Sequence, residues 1–137
     1  MTHTYSVQFR IFGKDLDPDA ATRHLGLTPN LIRRAGEAFG KKVWDKAMWS
    51  YEGTTAPSEW PSLDDGLAHV LDHLEPKKDL IQTYAATCDL IWWCGHFQSS
   101  VDGGPTLSAP LLKRLGDFAV PLYLDNYFSS DRPAIDR

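Results

Sequence analysis

From Tyr5 to Phe12 apolar and polar residues alternate, with Tyr5, Val7, Phe9 and Ile11 on one face and Ser6, Gln8 and Arg10 on the other. This period of two is the signature of a half-buried strand. Gly13 ends it, and Asp17-Pro18-Asp19 then opens a helix: an N-cap carboxylate, a proline in the first turn and an acid favourable to the helix dipole. Gly26 stops this helix after Leu25, and Pro29 prevents its resumption. The stretch Leu31–Glu37 is compatible with a short helical turn or an irregular extended segment, and Val43 to Tyr51 reads as a second strand. Gly53 to Pro61, with Pro57, is a loop. Ser62 caps the longest helix, whose Leu63, Leu67, Val70, Leu71 and Leu74 form one apolar stripe at helical spacing. Pro76 implies a kink or a fresh helix over Lys77 to Ala86.

Cys88 to Phe97 is apolar on both faces, as in a central strand covered on both sides or one whose second face lines a groove. Asp102-Gly103-Gly104-Pro105 is a turn, Ser108 caps a helix with Leu111, Leu112 and Leu115, and Val120 to Phe128 is the last strand. The expected fold class is α+β: a single domain over residues 1–137, core about 5–128 and a loose tail 129–137. Its four-stranded, mostly antiparallel sheet would be packed by helices. Leu16-Asp17-Pro18 through Leu25-Gly26 is echoed by Leu107-Ser108-Ala109 through Leu115-Gly116. Two pseudo-symmetric β-α-β halves would produce this echo, and so would the ordinary frequency of capped, glycine-stopped helices.

Composition changes the picture mainly by exclusion. With 137 residues, 42% of them apolar, the chain can bury a core without metal or disulfide staples. Cys88 and Cys94 lie in one strand, about 20 Å apart at a rise of roughly 3.3 Å per residue. That is beyond disulfide reach, so both are expected as reduced packing residues. The opening Met1–Tyr5 has no basic stretch leading into an apolar run, and no segment matches a membrane span, so a cytoplasmic protein is expected. A net charge of −4 argues against a nucleic-acid partner.

Phe9-Arg10-Ile11-Phe12-Gly13, Leu16-Asp17-Pro18 and Leu25-Gly26-Leu27-Thr28-Pro29 together resemble the opening of the bacterial domain-of-unknown-function family 4279. Arg34-Ala35-Gly36-Glu37, Trp49-Ser50 and Leu74-Glu75-Pro76-Lys77-Lys78 are similar to its middle. Leu107-Ser108, Leu111-Leu112, Leu124-Asp125 and Tyr127 are similar to its close. The resemblance spans Tyr5 to Phe128. It implies an intracellular bacterial protein and no agreed catalytic residues. By analogy with other small families of this kind, it also implies a partner-binding role such as an immunity or accessory protein.

Asp65, His69 and His73 share a helix face at steps of four, where two histidines could chelate a metal. No His-Glu-x-x-His pattern or third strong ligand accompanies them, so a solvated polar face is expected and no metal or cofactor. Cys94 and His96 share a strand face, but side chains two apart sit about 7 Å from each other, too far for a ready thiol–base pair. Asp89 falls on the opposite face. Arg10, Arg33, Arg34, Lys41 and Lys42 could form a local basic patch, with Arg33-Arg34 beside Gly36 able to hold a phosphate or carboxylate. Gly103-Gly104 lacks the Lys-Ser/Thr of a phosphate loop. Of the five tryptophans, Trp60, between Glu59 and Pro61, is the candidate for an exposed binding anchor. The leading expectation is a non-enzymatic module with a protein partner and no catalytic residue. The alternative is a small-molecule or enzyme site holding an anion near Arg10 and Arg33-Arg34.

Overall fold

A computed structural model of the chain describes residues 3–53 and 59–128. Pro57 of the expected loop and the expected tail 129–137 lie outside the described residues. In chain order the elements are β1 (His3–Gly13), α1 (Pro18–Leu25), β2 (Leu31–Arg33), β3 (Ala38–Phe39), β4 (Lys42–Val43), β5 (Ala47–Tyr51), α2 (Leu63–Leu74), α3 (Lys78–Thr83), β6 (Asp89–Gln98), α4 (Ala109–Phe118) and β7 (Leu122–Phe128). Glu75–Lys77 and Tyr84–Ala86 form single 3-10 turns at either end of α3.

The architecture is α+β, with a mostly antiparallel sheet of order β2-β5-β1-β6-β7 in which β6 and β7 alone run parallel. The fifth strand is β2, three residues whose single half-turn of alternation is too short to announce a strand. The expected strand from Val43 is also divided. Gly40 (φ 60°) turns Ala38–Phe39 back onto Lys42–Val43 as a separate hairpin, and β5 begins only at Ala47. An exact twofold between halves is not present. In β6-α4-β7 the parallel strands are neighbours, whereas antiparallel β5 is inserted between β1 and β2.

The helix ends are fixed by local chemistry. The Asp17 carboxylate accepts from the N–H groups of Asp19 and Ala20, the Ser62 hydroxyl from Asp65 and the Ser108 hydroxyl from Leu111. Gly26 closes α1 at φ 66°, where a side chain would be strained. Across α2 and α4, Arg114 donates from Nε and Nη2 to Glu75 and from Nη2 to Asp72.

Every helix contributes to one core on one face of the sheet. Phe9, Ile11, Trp49, Tyr51 and Trp92 meet Leu25 of α1, Leu67 and Leu71 of α2, Ile81 of α3 and Phe118 of α4, all of them buried. Strand β1 is the middle of the sheet and α2 packs on it; β6 is interior, between β1 and β7. Since side chains alternate, the residues between these core positions stand on the opposite face. That face carries the candidate site.

Candidate functional site

Three strands set the central rows of the second face. Gln8 of β1 is paired with Trp93 of β6, which is paired with Tyr123 of β7; one row over, Ser6, Gly95 and Asp125 align. Arg10 sits between Ile91 and Ser50. Met48, Trp93 and Phe97 are buried here yet lie outside the helix-packed core.

Arg10 donates from Nε to Gln8 Oε1 at 2.8 Å and from Nη2 to the same oxygen. The amide nitrogen of Gln8 donates in turn to Glu52 Oε2 at 3.3 Å. One amide therefore bridges a cation and an anion. The guanidinium also lies 4.7 Å above the centre of the Trp93 ring, within cation–π range. Removal from water disfavours both charges: burial pulls the Arg10 pKa down against the opposing pull of Glu52, Tyr127 and Asp125. It also pushes the Glu52 carboxyl up against the pull of Arg10 and the Gln8 bond. Tyr127 donates to Asp125 Oδ2 at 2.6 Å, and that bond, with burial, pushes the phenol up to about 12.

Gly95 makes the aromatic surface possible. A Cβ there would stand 2.8 Å from the tip of the Trp93 indole and 3.0 Å from the Phe97 ring. The two rings close over bare backbone, and Phe97 stacks on Tyr127 at 5.2 Å.

Of the arginines singled out in the sequence, Arg10 and Arg33 share this face, with Arg33 4.9 Å over the Trp44 ring. Arg34, beyond the end of β2, leaves it and pairs with Asp19 of α1 at 2.8 Å. Lys41 and Lys42 are exposed at the β3–β4 hairpin. Trp60, expected as an exposed anchor, is half-buried. Its backbone exchanges both hydrogen bonds with Tyr5, and its half-buried ring lies against Gly66 and 5.3 Å from His69. The expected solvated stripe of α2 is solvated only at Asp65. His69 and His73 are half-buried beside Trp60 and Tyr51, and His73 Nδ1 bonds the His69 carbonyl. No group of three metal-ligating side chains occurs among the described residues.

Cys88 and Cys94 are both free thiols; Cys94 is buried, which pushes its pKa up to about 12, the reverse of nucleophile activation. His96, its neighbour on that face, is engaged elsewhere. Its Nδ1 bonds Asn126 and its Nε2 meets His3 Nδ1, each at 2.8 Å, while His3 Nε2 donates to the Asp102 carbonyl. In the sequence Gln8 stands on the polar face without a visible role, Asp125 and Tyr127 stand out only through the family resemblance, and Glu52 has no signal of its own. The available signal was the alternation of Ser6, Gln8 and Arg10, which marks polar side chains sharing one surface.

Glu52 supplies a pH-dependent prediction. Its folded pKa is raised, so between the ordinary carboxyl value and the raised one the folded state binds more protons than the unfolded. Stability then falls as pH rises through that window. Glu52→Gln should lack this fall, so its urea midpoint should gain on the wild type from about pH 4 upward. A constant difference between the two across that range would mean that Glu52 is not desolvated.

The fold and candidate site together define a class: an α+β protein whose sheet is covered by helices on one side and carries charged and aromatic side chains, most of them buried or half-buried, on the other. The chain belongs to the family described as Domain of unknown function (DUF4279), whose model matches residues 3–129. No curated protein and no solved structure matches it.

Proposed function

We propose that this protein is a non-enzymatic binding module that docks a partner polypeptide on the face of the sheet opposite the helices, centred on Arg10 and Tyr127. The observation behind this reading is the Arg10–Gln8–Glu52 relay: two desolvated charges bridged by one amide, on a face that no part of the helix-packed core occupies. Desolvated charges cost stability, and groups perturbed in this way cluster at functional sites. Glu52 and Asp125, on a chain of net charge −4, suit a partner segment that presents a basic side chain. Tyr123, half-exposed, and Tyr127, half-buried, stand on the same face and suit apolar or aromatic neighbours of that basic group. The thiol of Cys94, raised by burial, offers no support for nucleophilic chemistry.

An anion ligand is the second reading, favoured by Arg10 and Arg33 sharing the face. Glu52 and Asp125 act on Arg10 there and offset the positive charge, and Arg34 is committed to Asp19. The polypeptide reading fits this balance better. An immunity or accessory role inside a bacterial cell is the biological form we propose for it, and an adjacent toxin gene would support that form.

Site-specific photo-crosslinking tests the surface. A photoreactive residue at Leu31, exposed in the row of Arg10 and Ser50, should capture a discrete partner in the native host. The same residue at Leu112, exposed on α4, should not, and Arg10→Ala should abolish capture at Leu31 while leaving the melting curve cooperative. Capture from Leu112 alone would move the interface to the helices and overturn the proposal.

A further inference from the structure

Strand β7 closes the sheet on one side, and among the described residues its outer edge is unpaired. The direction of its backbone groups follows from one bond. Trp92 N donates to Pro121 O at 2.9 Å, and in a parallel ladder successive residues alternate between the two sides of a strand. The odd-numbered residues from 121 to 127 therefore bond to β6, and the N–H and C=O groups of Leu122, Leu124 and Asn126 point outward. Natural edges are guarded by charged side chains, proline or bulges, and the one charge in this strand, Asp125, is engaged by the Tyr127 hydroxyl. Between Leu122 and Phe128 there is no lysine or proline, while Leu122, Tyr123 and Phe128 are 36%, 51% and 40% exposed.

We propose that β7 pairs with the β7 of a second copy of this chain, antiparallel about a twofold axis at Leu124, making one continuous sheet across a dimer. In one register the strand is complementary to itself. Full overlap of the two strands would set Asp125 against Asp125, and like charges directly opposite are destabilising. Slipping by two residues keeps each side chain on its own face. It sets Leu124 against Leu124, Leu122 against Asn126 and Tyr123 against Asp125, so the one acid in the strand meets a phenol. The outward groups of Leu122, Leu124 and Asn126 then all find partners. The pairing needs only this protein and can be measured without whatever binds at Arg10, although Asp125 is a residue that both readings use.

Light scattering on size-exclusion fractions of the protein alone, over a wide concentration range, tests it. The mass should rise with concentration from 15.4 kDa toward twice that value. Tyr123→Asp would face Asp125 of the second copy at both symmetric positions and should weaken association by about tenfold. Tyr123→Lys would face the same carboxylates and should strengthen association. Tyr123 is half-exposed, so both variants should melt as the wild type does, and their opposite signs do not depend on a loss of folding. A monomer at every concentration overturns the proposal, as it would if this edge receives a strand of a different protein. A dimer that responds identically to both substitutions overturns it as well.

Discussion

Leu71→Ala is expected to lower the unfolding free energy by about 2–5 kcal/mol. Leu71 is 0% exposed on α2, the helix that packs on the middle strand, and it belongs to the core shared by all the helices. Truncation removes apolar contacts and leaves a cavity that elements held from several sides cannot collapse to fill. Leu80 of α3 is the control: it is 36% exposed, and its alanine variant should stay within about 0.5 kcal/mol of the wild type. Urea denaturation of the three proteins decides the matter. A Leu71 effect as small as that of Leu80 would mean that α2 does not present this stripe to the sheet.

Gly95→Ala should cost about 1–3 kcal/mol, although the change adds only one methyl group. Alanine in place of glycine ordinarily stabilises by restricting the unfolded chain. Here the added carbon would stand 2.8 Å from the Trp93 indole and 3.0 Å from Phe97, rings only 7% and 3% exposed and so with little room to retreat. Trp93 must shift, and with it the seat beneath the Arg10 guanidinium. The expected result is a lower denaturation midpoint with altered tryptophan fluorescence of the native state. A stabilised variant with unchanged emission would show that the rings do not close over residue 95.

Much of the fold is legible because local rules agree with it. The alternation of β1, the caps at Asp17, Ser62 and Ser108, the stop at Gly26 and the apolar stripe of α2 each name an element and its face. Leu31-Ile32-Arg33 gave no comparable signal, since a three-residue strand is defined by its pairing with β5 and not by its own pattern. The second face of the sheet was obscured for a different reason. Trp93 and Phe97 make β6 look covered on both sides, whereas they are buried outside the helix-packed core, against Arg10, the bare backbone of Gly95 and Tyr127. Arg33 and Arg34, adjacent in sequence, looked like one anion site. Arg33 stands on the strand and Arg34 beyond its end, so they serve different neighbours.

The bridge made by Gln8 has a consequence for inheritance within the family. Its oxygen receives a guanidinium and its nitrogen donates to a carboxylate, so the residue at position 8 must offer an acceptor and a donor at the tip of one side chain. Glutamate would place an anion beside Glu52, and leucine would strand both charges. Positions 8, 10 and 52 are therefore expected to vary as a set. In relatives where the arginine is replaced, the glutamine and the glutamate should have changed with it. A lineage that kept any one of the three alone would carry a buried polar group without its counterpart.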